Sequence, residues 1–486
     1  MKFTSLLQRG MPLLFLGLAA WSCEDPGETF NPTNPNLSSE NVIGTIESAT
    51  RTLNGAERQL ALLMNEIHVP AEVASDNYTN TKTFFNQFLD NLDINPTDAD
   101  MQALAFDISL MRELTTTGID EIGPGDADYT DEQRAGFHFL RGASYMVAGE
   151  LFNTLPGEAG GAALPAADHL NLAIADFTTA IGAAPSSDYG IAALIARART
   201  YYRLGDRTNA VADATAAITA GPDFVYFTRF DGANVGGADN NTMQDALFDR
   251  GSFDDLQPLP TLDFLDPKYN GSIPSVETNA PFIKIEEAHL ILAEAELSQG
   301  NLDNAKNIMK DIVALVATRP LASFDDGVEG RAEDVPGSRP DAAVVMVAAG
   351  PDRPLQAGLV IGRGAGDISV SVVSGTHYTD DEIDAIADID FGYESLYRMR
   401  QEIFIAEGRR MTDMGIRFVV SQVEKDSNPL IQDSDLEPVI PSFFAAIRME
   451  LDDFTYDADA GTARVAHNVN RLISENRGSD LVAPFE

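Results

Sequence analysis

The side chains of this chain that could do chemistry are mainly carboxylates and aromatic rings. The 486-residue sequence holds 75 Asp and Glu against 33 Lys and Arg, which gives a formal net charge of −42. Two carboxylates flanking a glycosidic bond could hydrolyse it, so a glycoside hydrolase is one interpretation. So many acidic residues form such pairs by abundance alone, however, and the sequence singles out no catalytic residue.

Motifs for metals, cofactors and nucleic acids give no positive signal. The six histidines lie without ligand spacing, and neither a phosphate loop nor a G-x-S-x-G nucleophile motif occurs. Asp126-Ala127-Asp128 and Asp457-Ala458-Asp459 are superficially similar to calcium loops but lack the sixth-position Gly and twelfth-position Glu, which favours solvated acidic loops. We therefore predict no metal and no cofactor. The acidic surface repels nucleic acid, which excludes it as a partner, and is also typical of adaptation to a saline habitat.

Two stretches combine aromatic and amide side chains in the way that sugar sites do, with rings for stacking and amides for hydroxyl groups. The only tryptophan, Trp21, lies in a segment predicted to be removed, so the stacking rings must be Tyr or Phe. We predict that a ligand contacts Tyr78, Phe84, Phe85 and Asn86, with Tyr269 and Asn270 as a second contribution. The alternative, that these aromatics pack the core or a partner interface, stays open for each residue, and a peptide ligand fits the lack of tryptophan equally well.

Helical repeats are the elements that must position these residues. In residues 191–222, apolar side chains recur at helical spacing on both sides of the turn Leu204-Gly205-Asp206. Ala198 and Ala210 occupy the positions where the two helices of a tetratricopeptide repeat cross closely. Because one repeat cannot bury its own face, we assign further units near 137–185 and 286–319.

The remaining segments complete a prediction of a mostly α, tetratricopeptide-like scaffold with long irregular loops and minor β structure. The loops are predicted at 223–281 and 319–380, with β-like runs at 343–347 and 368–373. A further helix is predicted at 40–64, ending before Pro70, because proline and the residue before it disfavour helix.

The N-terminal region has the pattern of a lipoprotein signal. Lys2 and Arg9 are followed by an apolar run and then by the single cysteine, Cys23. We predict a signal peptide at 1–22, lipidation of Cys23, a flexible tether at 23–38 and one folded domain at 39–486. No later segment has the ~18 consecutive apolar residues of a membrane span.

The stretch 397–417 carries the most specific resemblance in the chain. Glu402, Glu407-Gly408-Arg409-Arg410 and Asp413-Met414 resemble a characteristic segment of the SusD/RagB family. Helical spacing predicts that Glu407 pairs with Arg410 and Arg409 with Asp413, and that Gly408 marks close packing on a helix. We interpret these charges as a structural ion-pair network and not as catalytic carboxylates.

Other landmarks resemble the same family in order along the chain, among them Cys23 with its tether, Ala74-Ser75-Asp76 and Asp266-Pro267-Lys268. The resemblance implies a non-enzymatic, lipid-anchored protein of the outer membrane, exposed at the cell surface. It would capture oligosaccharides or peptides, with ligand residues near 78–86, and deliver them to a SusC-like, TonB-dependent transporter. The main alternative is a tetratricopeptide scaffold that binds a protein partner on its concave face; a glycoside hydrolase is the third interpretation.

Overall fold

The computed structural model describes residues 47–81, 86–230, 237–238, 240–248, 255–269, 277–325 and 337–485. The predicted signal peptide, Cys23 and the tether lie outside these residues, as do Phe84, Phe85 and Asn270.

Helices make up most of the described chain. In sequence order they are α1 Ser48–Val73, α2 Gln87–Asp90, α3 Ala99–Thr117, α4 Gly123–Gly125, α5 Asp131–Leu151, α6 Ala166–Ala183, α7 Asp188–Arg203, α8 Arg207–Ala220, α9 Thr242–Phe248, α10 Glu286–Ser298, α11 Leu302–Val316, α12 Asp380–Asp384, α13 Ile389–Ile403, α14 Arg410–Asp413, α15 Gln422–Ser427 and α16 Val469–Glu475. Among the described residues, no helix is both long and apolar enough to cross a membrane.

Three antiparallel helix pairs, α5–α6, α7–α8 and α10–α11, pack in series. Side chains define where the helices of the second pair begin: Ser187 accepts the N–H of Gly190, and Asp206 accepts the N–H of Asn209. Between them, Gly205 takes a φ of 71°, which lets the chain reverse in a few residues. Ala198 and Ala210 are completely buried, as close helix crossing requires. The mostly α, tetratricopeptide-like fold class is thus confirmed.

The strands are short and form small separate sheets. They are β1 Tyr78–Asn80, β2 Thr154–Pro156, β3 Ala163–Pro165, β4 Val225–Thr228, β5 Leu256–Pro258, β6 Ala280–Lys284, β7 Leu321–Asp325, β8 Met346–Ala348, β9 Asp367–Ser371, β10 Phe454–Asp457 and β11 Thr462–Val465. The pairs β1–β5, β2–β3, β4–β6 and β7–β9 are antiparallel, and β11 lies between antiparallel β10 and parallel β8. Strands β8 and β9 fall within three residues of the predicted β-like runs.

The predicted helix break before Pro70 is wrong, because α1 continues through this proline to Val73. Proline removes one backbone hydrogen-bond donor from the helix. Packing in the core stabilises the helix at this point, because Val69, Pro70 and Ala71 are all buried. The N–H of Ala74 then closes the helix on the carbonyl of Pro70 at 2.9 Å.

A buried ion-pair network connects the repeats to the C-terminal part of the chain. Arg199 of α7 binds Glu150 of α5 (Nε–Oε1 2.7 Å), and Arg203 reaches Asp413 of α14 (Nη2–Oδ1 2.6 Å). Its members are Glu150, Arg199, Arg203, Glu287, Arg400, Arg409 and Asp413. Removing one member of a buried pair typically costs about 3–5 kcal/mol, because the other charge is stranded.

Glu287 shows how strongly the network compensates burial. Burial alone would raise its pKa, but Arg409 and Arg400 outweigh this effect and hold the pKa of Glu287 at about 2. Their Nη2 atoms lie 2.7 and 2.6 Å from its two carboxylate oxygens. These charged residues are therefore engaged with one another, as the structural interpretation of stretch 397–417 expects.

The individual pairs predicted within that stretch are wrong. Glu407 binds Lys268 and Lys284 (Nζ–Oε1 2.6 Å to Lys284), whereas Arg410 binds Asp76 (Nη2–Oδ2 3.0 Å). Helical spacing does not hold from Glu407 to Arg410, because α13 ends at Ile403 and the backbone turns through left-handed residues Ala406 (φ 61°) and Gly408 (φ 65°). Arg409 and Asp413 do share a helical turn, but the guanidinium of Arg409 binds Glu287. The side chains of 407–410 consequently diverge towards different elements.

Candidate binding cleft

Strands β1 and β5 form the base of an open cleft. They pair antiparallel with Thr79 opposite Gln257, so these two side chains share one face of the ribbon. Side chains alternate along a strand, and β1 buries Tyr78 and Asn80 while it leaves Thr79 half-buried. Thr79 and Gln257 therefore both reach the cleft.

The opposite wall comes from the segment that enters β10. Asp452 and Asp453 precede the strand, and Phe454 and Tyr456 lie on one of its faces because they are two residues apart. The hydroxyl of Thr79 donates a hydrogen bond to Oδ2 of Asp452, which ties β1 to this segment. Two regions more than 370 residues apart in sequence are thus joined.

We call this feature the Asp452 cleft. It has a volume of about 210 Å³ and is lined by Thr79, Gln257, Ser338, Asp452, Asp453, Phe454 and Tyr456. Two rings, an amide, two hydroxyl groups and two carboxylates are the side-chain types that bind a sugar ring: aromatic faces for its C–H surface and polar groups for its hydroxyls.

The two carboxylates differ in environment. Asp452 is only 6% exposed, and this burial raises its pKa to about 6, although the bond from Thr79 acts in the opposite direction. Asp453 is exposed, but partial desolvation and the neighbouring carboxylate of Glu450 raise its pKa too. Within the described part of the chain, neither carboxylate forms an ion pair with Lys or Arg.

Gln257 contributes a buried donor. The residue is 4% exposed, and its Nε2 has no hydrogen-bond partner among the described residues. Leaving a buried donor unpaired costs about 1–3 kcal/mol, so an acceptor supplied at this wall would recover a substantial free energy.

Three of the residues predicted from sequence to bind ligand, Tyr78, Asn86 and Tyr269, belong to the described part of the chain, and none of them lines the cleft. Tyr78 and Tyr269 are completely buried, and Asn86 is buried at the start of α2. The ring of Tyr269 stacks on His68 at 6.3 Å, inside the core. In this structure neither tyrosine presents a face to a ligand. Tyr78 is the immediate neighbour of Thr79, which lies on the opposite face of β1 and lines the cleft.

The other half of the cleft has a recognisable sequence signal at 454–457. The alternation Phe454-Thr455-Tyr456-Asp457 is a strand signal that places two rings on one face, and it precedes the hairpin turn at 458–461. From sequence, only Asp457-Ala458-Asp459 of this segment carries an interpretation, as a solvated acidic loop. Among the described residues, no group of three or more His, Cys, Asp or Glu is arranged to hold a metal ion.

A second cavity, of about 180 Å³, lies between α13 and residues 349–356. Its walls are mostly apolar, and its charged groups are largely paired with one another: Arg353 with Glu394, and Arg398 with Glu402. The Asp452 cleft has more hydrogen-bonding groups available for a polar ligand.

The architecture defines a helical-repeat protein with a small polar and aromatic cleft built on its irregular insertions. Among solved structures, it is similar to a putative sugar binding protein from Bacteroides vulgatus, with 13% identity, TM-score 0.51, and coverage of 80% of this chain and 98% of that one. It is also similar to a SusD-like protein from Bacteroides fragilis, with 10% identity, TM-score 0.51, and coverage of 82% of this chain and 99% of that one. A third similar structure is a SusD superfamily protein from Bacteroides thetaiotaomicron, with 12% identity, TM-score 0.50, and coverage of 80% of this chain and 99% of that one.

The chain therefore has the SusD-like fold, which confirms at the level of structure the resemblance that the sequence carries. No protein-family model matches the sequence, and no curated protein sequence matches it either.

Proposed function

We propose that this protein is a glycan-binding member of the SusD/RagB family that captures oligosaccharides in the Asp452 cleft. The observation that carries the proposal is the cleft itself, in which aromatic rings and hydrogen-bonding groups from four distant parts of the chain converge on a SusD-like scaffold. Residues 39–486 would act as one unit in which helical repeats hold the loops that bind the ligand.

Capture would be the first step of delivery to a SusC-like, TonB-dependent transporter in the outer membrane. The signal pattern at 1–22 followed by Cys23 supports a lipid anchor, and the Pro- and Asn-rich tether at 23–38 would let the folded part reach the transporter. Docking on the barrel is itself a protein interaction, so this proposal includes part of the scaffold alternative.

Isothermal titration of the unlipidated mature chain with a panel of oligosaccharides tests the binding role. We expect Tyr456→Ala to lower the affinity by about tenfold or more, because stacking on a ring contributes about 1 kcal/mol beyond its area burial. Tyr456→Phe is the matched control and keeps the stacking face. Equal affinity of Tyr456→Ala and wild type would remove the cleft from the proposal.

The loop predicted from sequence is tested separately. Phe84→Ala and Phe85→Ala are expected to weaken capture without changing the melting temperature, if these rings contact ligand. Tyr78→Ala and Tyr269→Ala are unsuitable, because emptying a buried aromatic site costs about 3–5 kcal/mol and would confound loss of binding with loss of folding.

Delivery and catalysis have their own readouts. Detergent extraction of the tagged, lipidated protein from its native outer membrane should co-purify a large barrel receptor in stoichiometric amount, and repeated absence of a barrel would favour the scaffold alternative.

Incubation of the protein with bound glycans should release no reducing ends. Their release would instead identify a glycoside hydrolase, with Asp452 and Asp453 as the first carboxylates to replace.

A further inference from the structure

The polar wall of the Asp452 cleft is dominated by hydrogen-bond acceptors. Asp452 and Asp453 together offer four carboxylate oxygens, and the hydroxyl proton of Thr79 is already donated to Asp452. No Lys or Arg lines the cleft among the described residues. A ligand that fits this wall must bring donors and, preferably, positive charge.

The negative charge is a local property of the cleft as well as a global one. The other titratable neighbours of Asp453 are Glu450, which adds negative charge, and His467, which pairs with that glutamate (Nε2–Oε2 3.3 Å). Asp76, which also acts on Asp452, is itself neutralised by Arg410. Among the described residues, no Lys or Arg forms an ion pair with either cleft carboxylate, and His467, which lowers the pKa of Asp453, is shared with Glu450.

Gln257 also lines the cleft, and its Nε2 has no hydrogen-bond partner among the described residues. It is a buried donor on the same wall, opposite Thr79, and it matches an oxygen acceptor such as a sugar hydroxyl or ring oxygen. Phe454 and Tyr456 add aromatic faces, on which a sugar ring stacks and to which a nearby ammonium group is attracted.

We propose that the Asp452 cleft selects oligosaccharides that carry a free amino group, with the ammonium facing Asp453 and the ring on the aromatic face. This inference rests on the proposed glycan-binding function and assigns the ligand class of that same site. An ammonium offers three donors and no acceptor, which complements the wall, whereas a uronate or sulfate would face two uncompensated carboxylates. The net charge of −42 would also raise the encounter rate with a cationic oligomer.

The test is isothermal titration of the mature chain at neutral pH with three probes of equal length: a glucosamine oligomer, its fully N-acetylated counterpart and a uronate oligomer. We expect the amine-bearing probe to bind about tenfold more tightly than the acetylated one, and the uronate to bind most weakly. Because any polycation is attracted to an acidic protein, the decisive comparison is between two variants of equal charge.

Asp453→Asn removes a cleft carboxylate, and Asp459→Asn removes an exposed one in the β10–β11 turn outside the cleft. Asp453→Asn should abolish most of the tenfold preference, while Asp459→Asn should keep it. Gln257→Met should weaken both amine-bearing and acetylated probes, since it removes the donor without changing charge. Since Asp453 is exposed, its substitution should leave the melting temperature unchanged.

The outcomes separate the two proposals. Equal binding of amine-bearing and acetylated probes, or an unchanged preference in Asp453→Asn, overturns the inference and leaves glycan binding standing. Failure of every sugar probe overturns the proposed function itself. Tight binding of a lysine-rich peptide that Asp453→Asn abolishes, without sugar binding, would assign the acidic wall to a basic peptide and also overturn the inference.

Discussion

Residue 408 must be glycine for two independent geometric reasons. Its φ of 65° lies in the left-handed region, and a Cβ added there would meet Cγ2 of Ile67 at 2.6 Å. The backbone N–H of Gly408 also donates to Glu72 at 2.7 Å, so the chain cannot shift away without losing this bond. The sequence predicts close packing at Gly408 but on a helix, whereas the residue lies in the turn between α13 and α14.

Gly408→Ala is therefore expected to destabilise the fold by about 2–4 kcal/mol, as the sum of left-handed strain and overpacking. Urea denaturation measures this change. Gly182→Ala, near the end of α6, is the matched control, because nothing lies within 4 Å of its added Cβ. That control should be neutral or slightly stabilising through helix propensity. Equal losses for the two variants would contradict the argument.

Glu294 makes stability depend on pH. Burial raises its pKa to about 7, against the opposing effects of Arg400 and of the hydrogen bond from Tyr202. The folded state therefore binds this proton more tightly than the unfolded state. The stabilisation that comes from this bound proton is fully present below the pKa of about 4 in the unfolded chain, and it is lost as the pH rises through 7.

Glu294→Gln removes this dependence, since Gln binds no proton but can still accept the hydrogen bond from Tyr202. Between about pH 4 and pH 8, we expect the variant to gain ~3 kcal/mol relative to wild type, measured by urea denaturation at several pH values. The free energy of unfolding of the variant should still vary somewhat with pH, because burial raises the pKa of Glu72 to about 7 too. Glu475→Gln, on the surface, should follow the wild-type profile; parallel curves for all three proteins would refute the assignment.

At the scale of elements, the crossing of α7 and α8 depends on small side chains. Ala210→Leu should cost about 1–3 kcal/mol, because its site is completely buried against α7. Ala216→Leu lies on the exposed face of the same helix and should change stability by no more than ~0.5 kcal/mol. Thermal unfolding of the two variants distinguishes them, and a large loss in Ala216→Leu would show that the exposed face has been misassigned.

Elements with strong local signals could be predicted from sequence, and those set by long-range pairing could not. The stripes around Ala198 and Ala210 specify amphipathic helices because period and cap residues are local properties. The cleft depends on the register that sets Thr79 opposite Gln257, and on a bond from β1 to a segment near residue 452. A shift of one residue exchanges the two faces of a strand, so the sequence alone does not determine whether Tyr78 or Thr79 faces the cleft.

At the scale of the molecule, repulsion among surface carboxylates opposes folding. With 75 acidic and 33 basic residues, added salt should screen more repulsion than it weakens exposed surface pairs such as Arg471–Asp352. We expect the melting temperature to rise from low to molar NaCl. Sucrose of equal osmolality is the uncharged control. A melting temperature independent of NaCl would count against adaptation to a saline habitat.

The buried ion-pair network determines how cooperatively the protein should unfold. Arrays of helical repeats can fray from one end, because each repeat contacts only its neighbours. Here Arg199 and Arg203 of α7 both bind Glu150 of α5, and the guanidinium of Arg203 also binds Asp413 of α14. Phe485 also packs edge-on against Tyr202 at 5.1 Å. If either the repeats or the C-terminal part opened alone, buried charges in the part that stayed folded would lose their partners. We therefore expect the described domain to unfold as a single cooperative unit, although no disulfide joins its parts. The slowest-exchanging backbone amides should then be found in both parts.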